Sequence, residues 1–206
     1  ICLNHVDKKS KTSFTIDIIL STGKKSLPSK KKDPVLPKHI NSGYTILSGN
    51  SDNYMLIYRS EEWIKVLIHE CFHIFCLDIN EYTHIVTKIF RELFNIHSRF
   101  LLNETIVEFW ARTLNCALST FAINPLMSYH DFLIMFNLNL NIEKIWAFHQ
   151  SIRLLNNFGL SYDDIILKSN TNEEIIFKEE TNAFNYTILT AVLLYDFDRI
   201  ISWFVS

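Results

Sequence analysis

Apolar and polar residues alternate along this chain with two different periods. Stretches rich in β-branched and aromatic residues cover 13–20, 44–48 and 54–59, and turn formers bound them, most clearly Asn50-Ser51-Asp52-Asn53. These predict three strands. From residue 60 the period lengthens to that of a helix. Trp63, Val66, Leu67, Cys71 and Phe75 form one apolar stripe that runs up to Asp78-Ile79-Asn80, and Ser60 followed by Glu61 and Glu62 supplies a helix start. Further helices are expected over 82–95, 104–121, 142–156 and 183–204. No internal repeat interrupts the pattern. The expectation is an α+β fold, mostly helical, with a small sheet preceding the helix at Trp63.

Composition agrees with a packed globular chain: 206 residues, 48% hydrophobic and 20% charged. The charge is uneven. Residues 1–40 hold nine lysines against three aspartates, so the remainder is acidic. Gly23, Pro28, Pro34 and Pro37 fall in the same region, and the stretch 21–38 reads as an exposed loop or linker. The organisation expected is a basic strand and loop segment over 1–40 and the main unit over 41–206, together forming one compact domain. No aromatic interleaving or nucleic-acid motif accompanies the basic run, which reads as solvated. The longest apolar runs, 66–77 and 187–195, are broken by His69, Glu70 and His73 or stop at Asp196, short of the ~20 residues of a membrane span. Cys2, Cys71, Cys76 and Cys116 show no paired CxxC spacing, and two of them lie in an apolar helical pattern. A soluble, intracellular protein is therefore expected, and the start at Ile1 reads as a fragment or processed product. The sequons at Asn103 and Asn185 are discounted, the first because it falls beside the candidate site.

Candidate chemistry concentrates in His69-Glu70-Cys71-Phe72-His73, an HExxH pattern inside a predicted helix. At i and i+4 the two imidazoles project from one face, close enough to share a cation such as Zn²⁺. Glu70 is rotated by ~100° from His69, so its carboxylate can reach a water beside the ion and act as general base. A pair of buried histidines making polar contacts is the competing reading, and a third ligand would separate the two. His84, Glu92, Glu104 and Glu108 are the downstream candidates. Cys76 and Ile79 stand where HExxHxxGxxH needs Gly and His, which excludes the metzincin arrangement.

The segment Leu102-Asn103-Glu104-Thr105-Ile106-Val107-Glu108-Phe109-Trp110-Ala111 resembles the second-helix motif of the gluzincins, the thermolysin-like and aminopeptidase-like zinc metallopeptidases. The resemblance covers about fifty residues. It implies that Glu104 is the third zinc ligand and that Glu108, one turn later, orients a metal-bound histidine. It also implies hydrolysis of a peptide or protein substrate, held by β-addition to the strand at 53–59. Spacing argues differently: thirty residues separate His73 from Glu104, whereas Glu92 follows after eighteen, the aminopeptidase-like interval. Glu104 is preferred because Glu92 lacks the Asn-Glu context. Gluzincin-like enzymes also add a Tyr or His donor for the developing oxyanion. Among Tyr129, His130, Tyr162 and Tyr186, the choice is Tyr186, which opens a long apolar helix with polar residues clustered at its start. The alternative function is a non-catalytic module of this fold within a larger assembly.

Overall fold

The computed structural model describes residues 13–47, 52–78, 83–166 and 175–206. The chain is mixed α and β, with a small sheet and a helical majority. Three strands, β1 (Phe14–Ser21), β2 (Gly43–Ile46) and β3 (Asn53–Arg59), form a sheet in the order β1-β3-β2. β1 runs parallel to β3, with Ile16 opposite Met55 and Ile18 opposite Ile57, and β2 pairs antiparallel, with Gly43 opposite Ile57. β3 is therefore the central strand, not the edge expected from sequence; β1 and β2 are the edges. The period of two along β3 buries Met55 and Ile57 on one face. On that face lies α2 (Trp63–Ile74), whose Val66 and Ile74 complete the cluster. α1 is a single turn, Pro37–Ile40.

Both ends of α2 depart from the simplest reading. Ser60 does not cap it: its hydroxyl donates to the Ser21 carbonyl, and Glu62 precedes the helix in a left-handed conformation with no side-chain cap. At the other end the Leu77 amide donates to the Phe72 carbonyl and the Cys76 amide to the His73 carbonyl, while Cys76 itself has φ 51°. That is a Schellman closure with cysteine where glycine is usual, and it reverses the chain at the end of the HExxH helix.

The helical layer comprises α3 (Thr83–Leu93), α4 (Leu102–Ile123), α5 (Tyr129–Phe158), α6 (Tyr162–Ile166), π-helical turns over Phe184–Leu189, α7 (Thr190–Tyr195) and α8 (Phe197–Val205). β4 (Ile96–His97) and β5 (Ile175–Ile176) form a short parallel pair. The helix expected over 142–156 begins earlier, at a Ser128 cap that accepts the Asp131 amide, and it closes at Gly159 with φ 72°. The helix expected over 183–204 is three pieces, broken at Asp196. α5 and the π-helical turns bury Leu154, Phe158, Phe184 and Ile188 in the largest core, and a second core joins Phe109 to Leu140 and Leu194.

The stretch 21–38 is not wholly a solvated loop. Val35 is fully buried in the largest core, its amide donates to the Lys178 carbonyl and its carbonyl accepts from Glu180, while Lys32 is tied to the end of α5 through the Asn157 carbonyl. Apolar burial and four-square backbone pairing hold that residue in place. Among the described residues no helix is long and apolar enough to cross a membrane.

Candidate metal centre

Helices α2 and α4 each present a polar ladder at helical spacing, Lys65-His69-His73 on one and Glu104-Glu108-Arg112 on the other. The ladders interleave where the helices pack. Nε2 of His69 and Nε2 of His73 lie 3.2 Å apart, and Oε2 of Glu104 lies 3.6 Å from the first and 3.5 Å from the second. His69, His73 and Glu104 are the one group among the described residues whose ligand atoms could jointly hold a metal ion. Tetrahedral ligation at bond lengths of about 2.0–2.1 Å spaces the donors roughly 3.3 Å apart, so the triangle has the size a zinc ion requires. Oε2 of Glu104 is buried and has no hydrogen-bond partner, which is unusual for a carboxylate oxygen and fits the donor set of a metal site.

The remaining imidazole nitrogens are each braced by a carboxylate. Nδ1 of His69 lies 3.0 Å from Oε2 of Glu108, and Nδ1 of His73 lies 2.8 Å from Oδ2 of Asp78. Oε1 of Glu108 accepts from Nζ of Lys65 at 2.7 Å and from Nε of Arg112 at 2.9 Å, and Arg112 continues to Glu143. Burial alone would raise the Glu108 pKa, but Lys65 and Arg112 outweigh it and hold the carboxyl well below its ordinary range. Burial likewise opposes a charged His73, yet Asp78 and Glu104 push it up to about 10. Glu104 shows the converse: burial disfavours its charge, and the two histidines bring it down to about 2. The carboxylates together make a pocket that favours positive charge, whether a proton or a metal ion supplies it.

Glu70 stands on the adjoining face of α2, buried, and its Oε2 accepts from the Thr45 hydroxyl of β2 at 2.8 Å. Tyr186 is brought to the same place. Its ring centroid is 5.5 Å from that of His69, and its hydroxyl, 3.4 Å from the Asn182 amide nitrogen, accepts a long hydrogen bond from it. Burial, with Glu104 adding to it, raises the phenol above its ordinary pKa, so the group remains a hydrogen-bond donor. A cavity of about 290 Å³ is lined by Gly43, Thr45, His69, Glu70, His73, Glu104 and Tyr186 among others. A second cavity, of about 450 Å³, shares Gly43, His69, Glu70 and Tyr186 with the first and extends past Lys65 and Arg112.

The structure therefore gathers His69, Glu70, His73, Glu104, Glu108 and Tyr186 around one cavity system. It does not gather the competitors. Glu92 and His84 are exposed on α3, and Tyr129, His130 and Tyr162 are exposed and line neither cavity. Sequence reasoning missed Asp78 and Thr45. A carboxylate five residues past the second histidine was the only signal for Asp78, and nothing local distinguishes Thr45. Comparison with known proteins adds no relative: no family model, no curated protein and no solved structure matches the chain.

Proposed function

We propose that this chain is a zinc-dependent metallopeptidase of the gluzincin type. The observation that carries the reading is the triangle of His69, His73 and Glu104 donor atoms, 3.2–3.6 Å on a side, with a second carboxylate, Glu70, beside it and not part of it. A structural metal site has no use for that extra base, whereas three protein ligands leave an open position of the kind hydrolytic zinc enzymes keep. Zinc bound there would act as a Lewis acid and lower the pKa of a water beside it.

The protein's own groups supply the rest. Glu70, held by Thr45, takes the proton of the attacking water and passes it to the leaving amine. Tyr186 keeps its proton and offers a donor to the oxygen on which negative charge develops. Among the described residues β2 pairs with β3 along one side only, and Gly43, Tyr44 and Thr45 line the cavity, so an extended peptide can add to that edge with its carbonyl directed at the donors. The substrate class that fits is a peptide or an unfolded protein segment.

The test uses the purified chain, metal analysis and a quenched-fluorescence peptide library. One zinc per molecule and measurable hydrolysis are expected, and Glu70→Gln should keep the metal and lose the activity. Metal binding with no hydrolysis of any library member would favour the second reading, a non-catalytic module of a larger assembly. That reading draws on the apolar side chains exposed along α4 and α5, including Leu118, Phe121, Ile134 and Leu138.

A further inference from the structure

We infer that Asp78 is a positioning residue of the metal centre, fixing the ring of His73 as Glu108 fixes that of His69; this rests on the metal-site reading above. The chain is built to deliver it. After Ile74 the Schellman closure, with the Leu77 amide on the Phe72 carbonyl and the Cys76 amide on the His73 carbonyl, turns the backbone back over the last turn of α2. That turn requires a left-handed residue, and the chain places Cys76 there at φ 51° although a residue with a Cβ is strained in that region. Two residues on, Oδ2 of Asp78 meets Nδ1 of His73 at 2.8 Å. In the neutral ring the contact selects the tautomer: a proton on Nδ1, bonded to Asp78, leaves Nε2 as the nitrogen with a free lone pair, and Nε2 is the atom that faces Glu104 and His69.

The two bracing carboxylates are not equivalent. Glu108 is mounted on α4, and its charge is compensated by Lys65 and Arg112. Asp78 stands just past the end of the HExxH helix, meets no lysine or arginine among the described residues, and keeps its second oxygen, Oδ1, buried without a hydrogen-bond partner. Its charge is therefore undiluted where it faces the metal site. Asp78 adds to affinity in two separable ways, by orienting the ring and by making the ligand more basic.

The experiment measures zinc affinity by chelator competition for the wild-type chain, Asp78→Asn and Asp78→Ala, with the fold of each checked in EDTA by circular dichroism. Asn retains an acceptor and loses the charge, so a roughly ten-fold weakening is expected; Ala loses both, and up to about a hundred-fold is expected. The visible spectrum of the cobalt-substituted chain should change between wild type and Asp78→Ala, a signature that a merely structural role would not produce. A second measurement needs no variant: the zinc-loaded wild type should give two exchange-protected imidazole Nδ1–H resonances, one braced by Glu108 and one by Asp78. Wild-type affinity in both folded variants, or a single protected resonance, overturns the inference. A wild-type chain that binds no zinc overturns the metal-site reading itself, and this inference with it.

Discussion

Substituting Glu108 by Gln separates the two functions that converge on that carboxylate. The side chain is 4% exposed and stands between Lys65, 11% exposed, and Arg112, 9% exposed, at 2.7 and 2.9 Å. Gln preserves shape and one acceptor but removes the counter-charge, which leaves the buried lysine, among the described residues, with the more distant Glu62 at 3.6 Å. Breaking a buried pair from one side costs about 3–5 kcal/mol. For a chain of this size each kcal/mol moves the melting temperature by about 2–4 °C, so a fall of roughly 6–20 °C is expected. Urea denaturation in EDTA is the assay, because metal binding would otherwise add its own linkage term. Replacing both partners, Lys65→Met with Glu108→Leu, should recover at least half of the loss, since Arg112 keeps Glu143. Zinc affinity should remain reduced in the double variant, as His69 has lost its brace. A Glu108→Gln chain within about 1 kcal/mol of wild type would refute the claim that this network is held together by its charges.

Other substitutions probe the site from different sides. Gly43→Ala would place a Cβ 2.9 Å from the Leu56 carbonyl oxygen and 2.9 Å from a Val66 methyl, 3.5 Å from the Glu70 side chain; a loss of about 1–3 kcal/mol is expected in thermal melts, with activity falling further than stability because β2 carries Thr45. Glu104→Ala should abolish stoichiometric zinc in metal analysis while Glu92→Ala leaves it intact, and the reverse result would restore the shorter spacing as the guide. Tyr186→Phe should lower kcat by roughly ten- to a thousand-fold with zinc content unchanged, and an unaltered kcat would assign the residue to packing alone. Glu179, whose burial raises its carboxyl to about 7 despite bonds from Ser98 and the Phe184 amide, holds its proton more tightly folded than unfolded. Its contribution is therefore fully present below an unfolded value of 4.5 and is lost as pH rises to about 7, by at most about 3 kcal/mol at about 1.4 kcal/mol per pH unit. Glu179→Gln should flatten that part of the stability profile and stabilise the chain at pH 8.

What the sequence made legible was whatever local periodicity encodes. The strands at 13–20 and 54–59, the helix through His69 and the helix through Glu104 follow from spacing, and the structure places them within a few residues of expectation. The aminopeptidase-like interval after His73 points at Glu92, which lies exposed on α3, because a count of residues carries no information about which face that helix turns inward. Nothing local in the sequence marks Lys65 and Arg112 for burial; only the packing of α2 on α4 buries them together. Asp78 depended on a backbone reversal without the glycine that usually announces one. Val35, in a proline- and lysine-rich stretch, is drawn into the core by a bridge to Glu179 that is remote in sequence.

The least legible feature is the coupling between the last helical region and Glu104 on α4. Leu101 precedes α4 with no capping side chain of its own, so the amides of the first turn need partners from elsewhere. Asn185, fully buried, supplies them in part: its Oδ1 accepts the Leu101 amide at 2.8 Å and its Nδ2 donates to the Arg99 carbonyl at 2.8 Å. A residue so placed could not carry a glycan in the folded chain, which answers the sequon by geometry. Asn185 lies in the π-helical turns Phe184–Leu189, and π geometry spreads successive side chains differently from an α-helix. Asn185 is thereby directed at the start of α4 while its neighbour Tyr186 is directed at His69. One short segment thus contacts both the start of the helix that carries Glu104 and, through the Tyr186 ring, His69, so a shift in the π-helical register would move Glu104 and the Tyr186 phenol together.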